Sequence, residues 1–233
     1  MPTSRRLFIA AAGLAPMGCG IPISREQGTP IAAPKPIPVV RAPQVGQEWR
    51  YIQKDFFSGK SLGVVVEKVA SLGQTITVSR ADENGSPLPS EIQGPYGMVI
   101  TDPHWGKVLN FNPAIPLWPQ EMNSSWNKQV ISKYTVGGYP QNQNNWQLYM
   151  SAHGWEKVTV PAGDFVTLRF QNLINFESDD DNKVNCIRRE TLWFAPQIGR
   201  WVARESSGSY QIQGQIGAVL LEDSYKWELL SWK

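Results

Sequence analysis

"WEKVTVPAGDFVTLRF" (Trp155–Phe170) reads as a β-hairpin, and that reading decides the fold class. Val158 and Val160 alternate with Lys157 and Thr159, the two-residue period of a strand with one buried face. Pro161 holds φ near the value that a first turn position needs. Gly163 can take the positive φ of a three-residue loop with a bulge. Val166, Leu168 and Phe170 resume the alternation on the return run.

The same period recurs outward on both sides. Trp49 and Tyr51 alternate with Arg50 and Ile52. Leu62–Val69 and Thr75–Arg80 form a second hairpin around Ser71-Leu72-Gly73-Gln74, with Ile76 and Val78 on one face and Thr75 and Thr77 on the other. Further strands are expected at Met98–Thr101, Gln129–Thr135, Trp146–Ser151, Glu156–Val160 and Phe165–Asn175. The C-terminal set is Cys186–Phe194, Trp201–Ser206, Tyr210–Gly217 and Tyr225–Trp232. "ESDDDNK" (Glu177–Lys183) reads as a solvated hairpin tip. Its Asp179, Asp180, Asp181 and Asn182 offer oxygens to a calcium ion, without the glycine and distal glutamate of a dedicated calcium loop. No segment of twelve or more residues shows a capped apolar stripe of helical period. The expected fold is mainly β: a single antiparallel, strongly curved sheet, a half-barrel or open barrel, with few or no helices.

This domain spans residues 46–233, about 188 residues, enough for one well-buried core. The chain before it has another character. In "SRRLFIAAAGLAPMGCG" (Ser4–Gly20), the cationic Arg5 and Arg6 precede an apolar run and the small Gly18, the anatomy of a secretory signal. As a helix the run would reach only about 16 Å, short of a membrane span. Ser4–Phe8 resembles a twin-arginine export motif, the alternative being an ordinary signal with an arginine pair. Cys19 resembles the cleavage and lipidation cysteine of bacterial lipoproteins, the alternative being a spare cysteine in an ordinary signal. Residues 1–18 are therefore expected to be a signal peptide, and residues 19–45 a lipidated cysteine followed by a Pro-rich linker. Pro22, Pro30, Pro34, Pro36, Pro38 and Pro43 suit an extended spacer reaching up to about 75 Å. With Cys19 acylated, Cys186 stands alone as a buried structural thiol. With Cys19 free, a bridge to Cys186 is conceivable.

Arg5 and Arg6 account for the formal +2 charge, so the remainder carries equal numbers of acidic and basic residues. No Lys/Arg cluster follows, which removes the electrostatic footprint of a nucleic-acid partner. The expected location is the bacterial cell envelope on the periplasmic side. The expected partners are a membrane, held through the Cys19 anchor, and a lipid, glycan or envelope protein.

Two segments carry a resemblance to a known family. "WEKVTVPAGDFVTLRF" followed by "ETLWFAPQIGRWVARE" (Glu190–Glu205) resembles the paired hallmarks of the domain of unknown function 3108-like family of bacterial periplasmic proteins and lipoproteins. "VGQEWRYIQKDFFSGK" (Val45–Lys60) is similar to its opening strand, and "IPLWPQEMNSSW" (Ile115–Trp126) to its central segment. The resemblance implies a β-rich half-barrel like those of lipoprotein carriers, and no catalytic residues.

An enzyme would need reacting groups. His104 in "DPHWG" and His153 in "SAHGW" sit in turn-like surroundings. No nucleophile elbow, phosphate loop, zinc-protease helix or dinucleotide glycine pattern occurs, and no cofactor or metal is expected. A hydrolase reading requires one histidine within reach of both a hydroxyl or thiol and a carboxylate. Asp164 and Glu190 are a carboxylate pair to test against a glycosidase reading. The unusual resource is ten tryptophans, all beyond residue 48. Trp49, Trp193, Trp201 and Trp227 are expected to fill the core. Trp105, Trp118, Trp126 and Trp146, in Pro- or Asn-rich surroundings, are the candidate exposed ligand-contacting rim. The expected function is non-enzymatic binding of an apolar or amphiphilic ligand, or of an envelope partner, in a concave Trp-rich face. The alternatives are a carbohydrate-binding module, which needs coplanar exposed Trp rings, and a hydrolase.

Overall fold

In the computed structural model, which describes residues 28–215 and 217–233, the alternating runs join one antiparallel sheet. Its strands are β1 (Gly28–Ile31), β2 (Glu48–Asp55), β3 (Ser61–Leu72), β4 (Ile76–Asp82), β5 (Pro87–Gln93), β6 (Met98–Asp102) and β7 (Leu109–Pro116). They continue with β8 (Asn127–Val136), β9 (Tyr139–Val160), β10 (Gly163–Phe176), β11 (Lys183–Ala195), β12 (Arg200–Ile212), β13 (Val219–Leu221) and β14 (Tyr225–Trp232). Among the described residues no helix is long and apolar enough to cross a membrane. Arg5, Arg6, Cys19 and the expected signal peptide lie outside the described residues.

The expected half-barrel closes. β2 to β8 and β9 to β12 are meanders in chain order, joined on one side by β14, which pairs with both β12 and β2. On the other side β8 pairs with β9, from Asn127 opposite Ser151 to Val136 opposite Tyr139. Twelve strands, β2 to β12 and β14, thus form a ring without a free edge, the arrangement that removes unpaired backbone groups. Closure escaped the sequence because Trp146–Ser151 and Glu156–Val160 read as two short strands. They are one strand of 22 residues, long enough to pair with β10 on one side and with β8, then β1, on the other. The "SAHGW" break is a β-bulge: Arg169 faces Gly154 and Phe170 faces Ala152, with His153 left over. Gly154 has φ 135°, where a side chain would be strained.

The Pro161 turn forms where it was read, but with two linking residues and no bulge beside it instead of a three-residue loop. Pro161 and Ala162 link β9 to β10, with Gly163 opposite Val160. Residues 177–182 form the β10–β11 tip. β5 and β7 were not legible, because Pro87, Pro89, Pro113 and Pro116 argue against a ladder. Pro87 opens β5 and Pro116 ends β7. The β4–β5 and β6–β7 ladders carry register shifts that pass over Pro89 and Pro113.

The barrel has two unlike ends. At the lower end the β11–β12 connection is a 3-10 turn, Pro196–Ile198, closed by Gly199 at φ 63°. A Cβ on Gly199 would fall 2.4 Å from the Tyr96 hydroxyl and 2.6 Å from the Arg41 carbonyl, so the position requires glycine. The segment read as a spacer docks here from Gly28 onward. Gly28–Ile31 pairs with Val158–Trp155, the Arg41 amide donates to the Pro196 carbonyl (2.8 Å), and the Arg41 guanidinium lies over Trp232. An extended Pro-rich chain suits a sheet edge, where only part of its backbone must hydrogen bond. At the upper end gather the β6–β7 and β10–β11 loops and the β12–β14 segment.

Inside, Trp49, Trp118, Trp146, Trp155, Trp193, Trp201 and Trp227 are all buried. Tyr51 stacks on Trp201 with ring centroids 3.9 Å apart, and its hydroxyl donates to the Trp201 carbonyl. The concave face is thus occupied by its own side chains.

Candidate functional site

Strand parity carries charge into this interior. Glu67 stands between Val65 and Val69 on the inward face of β3, Arg80 follows Ile76 and Val78 on β4, and Glu91 precedes Gln93 on β5. Arg200, at the foot of β12, reaches both glutamates. Its Nη1 and Nη2 donate to the two Glu91 oxygens (2.9 and 2.8 Å), and its Nη2 and Nε donate to Glu67 Oε2 (2.7 and 3.2 Å). Gln93 donates to Glu91 Oε1 at 2.6 Å. Such forked, charge-assisted bonds are the geometry in which a guanidinium is held best.

The "DPHWG" loop completes the cluster from β6. Asp102 Oδ1 accepts from the backbone amide of His104 (3.0 Å) and from its Nδ1 (2.6 Å), while Oδ2 accepts from Trp105 Nε1 (2.9 Å). His104 Nε2 bonds Glu67 Oε1 at 2.8 Å. Burial and the Arg80 guanidinium oppose a charge on this ring, but the Asp102 and Glu67 carboxylates outweigh them and hold His104 above its ordinary value. Burial alone would raise Glu67. Arg200, His104 and Arg80 overcome it and keep the carboxylate well below its usual range. Asp102 is lowered in the same way by His104 and Arg204, against burial. With both ring nitrogens committed to carboxylates, His104 has none left to activate a hydroxyl. His153 Nε2 lies 3.1 Å from Ser151 Oγ on the exposed bulge, and no carboxylate is hydrogen bonded to it among the described residues. Asp164 is an exposed hairpin residue paired with Lys157 (2.9 Å). Glu190 is buried against Arg204 (2.6 Å), so the two carboxylates are not a facing pair.

Space for a ligand lies at the upper end. A cleft of about 380 Å³ opens between the β6–β7 loop, the β10–β11 tip and the β12–β14 segment, within the size range of small-molecule sites. Its walls combine aromatic rings, among them Trp105, Tyr134, Phe176 and Tyr210, with Lys107, Lys183 and Arg188. Arg188 lies over Phe176 (4.3 Å) and Trp105 (4.7 Å) and pairs with Glu222 at 2.6 Å. Lys183 lies over Tyr210 at 4.3 Å, and Lys107 pairs with Asp179 at 2.6 Å. Burial raises the hydroxyl of Tyr134 above its usual value, so this ring stays neutral and donates to the Glu177 carbonyl.

Beneath the cleft is a second, smaller chamber of about 30 Å³, bounded by His104, Asn172, Glu190, Arg204 and Trp146 among others. Trp105 borders both spaces. Arg188 on the cleft side and Arg204 (4.9 Å) on the chamber side both lie over its indole, and Asp102 pins its Nε1. Trp105 is the partition.

With this architecture in hand, solved structures of similar fold can be compared. The barrel is similar to a solved structure from Parabacteroides distasonis, described as a candidate lipoprotein. The two share 13% identity over 84% of this chain and 97% of that one, with a TM-score of 0.50. A candidate exported protein with a YmcC-like fold from Bacteroides fragilis shares 15% identity over 84% and 99%, TM-score 0.49. The hypothetical lipoprotein YmcC of Escherichia coli shares 9% over 82% and 89%, TM-score 0.44. At these identities the likeness is one of fold. No protein-family model matches the chain, and no curated protein matches it in sequence.

Of the four tryptophans read as an exposed rim, only Trp105 lines the cleft. Trp118 is buried at the lower end, stacked on Phe194 with centroids 4.7 Å apart. Trp146 is buried in the inner wall against Phe111, Tyr134 and Phe176. Trp126 is half-buried in the β7–β8 loop at the lower end, packed on the core. Loop-like composition misplaced Trp118 and Trp146, since β9 runs through the Asn-rich stretch and the β7–β8 loop folds inward. Arg188, Lys183, Tyr134 and Phe176 were not singled out. One signal was present: in "CIRRETLWF", Arg188 and Glu190 share parity with the apolar Cys186, Leu192 and Phe194. Charge on a core-facing register announces an internal pair or a site.

Proposed function

We propose that this protein is a non-enzymatic cell-envelope lipoprotein that holds an amphiphilic ligand in the cleft at the upper end of its barrel. The observation that carries this reading is the cleft itself, where aromatic walls meet three cationic side chains and the carboxylates of Asp179, Asp180, Glu222 and Asp223 in about 380 Å³. An apolar ligand inside the barrel has no comparable room, since the interior chamber measures only about 30 Å³. A glycan platform of coplanar exposed indoles has little support, with seven tryptophans buried and the Trp105 ring overlain by two guanidinium groups. The export-type leader, Cys19 and the motif resemblance to the domain of unknown function 3108-like family support the envelope assignment, as does a fold shared with a candidate lipoprotein.

The geometry adds an orientation. Nine residue steps separate Cys19 from Gly28, at most about 30 Å of extended chain, less than the 75 Å of a free spacer. An anchor at Cys19 would hold the lower end toward the membrane and present the cleft away from it. Mass spectrometry of the native protein extracted from membranes tests both parts. The expected result is a diacyl- or triacyl-modified Cys19 and a co-purifying amphiphile that Arg188→Ala loses. An unmodified N-terminus would overturn the anchor, and a ligand-free cleft in native extracts would overturn the binding role.

A further inference from the structure

Two of the side chains that line the chamber beneath Trp105, Trp146 and Asn172, each carry a buried polar atom without a protein partner. Trp146 is 1% exposed and its Nε1 can only donate; Asn172 is 7% exposed and its Oδ1 can only accept. The orientation of the Asn172 amide is set by its neighbour, because Nδ2 donates to Glu190 Oε2 at 3.0 Å. A flipped amide would turn its oxygen onto that carboxylate. The chamber therefore presents an obligate donor and an obligate acceptor, in a space of about 30 Å³.

The rest of the wall narrows the occupant. Asp102 is engaged by His104 and Trp105, Glu190 by Arg204 and Asn172, and Glu91 by Arg200 and Gln93. Each carboxylate thus already faces a cationic side chain, so no unbalanced negative charge draws a free cation. Three of them facing His104 and Arg204 disfavour an anion. At about 30 Å³ the space is roughly a tenth of the smallest ordinary small-molecule sites, about 300 Å³, and more than the 10–15 Å³ or so that one water needs. We infer that the chamber is an internal hydration site, occupied by one or two ordered waters that accept from Trp146 Nε1 and donate to Asn172 Oδ1. None of this depends on what the cleft binds.

The test is the magnetisation transfer from water to the indole N–H of Trp146 in 15N-labelled protein, that resonance being the one deleted by Trp146→Phe. The expected result is a cross-peak with the sign of a water tumbling with the protein. The indole of Trp49, which donates to the Ile198 carbonyl, should show none. Asn172→Leu, which removes the acceptor and fills the space, should abolish the Trp146 peak. Absence of the peak in the unaltered folded protein, or its persistence in Asn172→Leu, overturns the inference. Should Asn172→Leu not fold, a crystal structure of the unaltered protein decides: solvent density within hydrogen-bonding distance of both atoms supports the site, and a dry chamber refutes it.

Discussion

Arg200, at the foot of β12, and Arg188, near the top of β11, are chemically alike. Each is forked onto glutamate and each lies over an indole, Trp49 for one and Trp105 for the other. They differ in surroundings. The Arg200 side chain is 2% exposed and locked between Glu67 and Glu91, whereas Arg188 and Glu222 are 15% and 17% exposed and border an open cleft. In the closed interior, desolvation makes every charge dependent on its partner, so the cluster is a structural commitment. At the mouth, water shares the load, and a ligand can replace a partner at little expense to the fold.

The comparison breaks first at Arg200. Replacing Arg200 with alanine strands Glu67 and Glu91 in the interior and should lower stability by about 3–5 kcal/mol, read from urea unfolding. A loss near zero would mean that the network is solvated after all. Trp118→Ala tests the same lower end through packing. A buried indole stacked on Phe194 should cost about 3 kcal/mol, whereas a rim residue would cost almost nothing.

A titration separates the two regions next. His104 faces Asp102, Glu67, Glu91 and Arg80, and its folded-state value lies above the ordinary 6.5 or so. Its stabilising contribution is therefore complete below about pH 6.5 and is lost as pH rises through the folded-state value. The slope for one proton is at most about 1.4 kcal/mol per pH unit. Urea midpoints should fall across that window in the wild type and stay flatter in His104→Gln. Equal slopes in the two proteins would show that His104 is not the charged group. The smallest stability effect belongs to Arg188→Ala, expected within about 1 kcal/mol while ligand retention is lost. A large destabilisation with ligand retained would make Arg188 a second Arg200.

The legible part of this molecule was local. The Pro161 turn, the tip at residues 177–182 and the exact span of β14 followed from turn residues and period-two alternation, interactions between residues a few positions apart. Prolines hid β5 and β7, and Gly154 divided β9 on paper where a bulge merely bends it. Of the candidate site, Trp105 was named, while Arg188 and Lys183 were passed over because a charged side chain on a strand reads by default as solvated.

By itself the sequence determined an antiparallel β class, an N-terminal segment of different character and a domain rich in tryptophan. Tertiary structure decided that β8 meets β9, that Trp118 and Trp146 turn inward, and that Glu67 meets Arg200 across 133 residues of chain. The physical reason is that period and turn chemistry act along the chain. Closure, burial and charge pairing are settled only where distant strands come side by side.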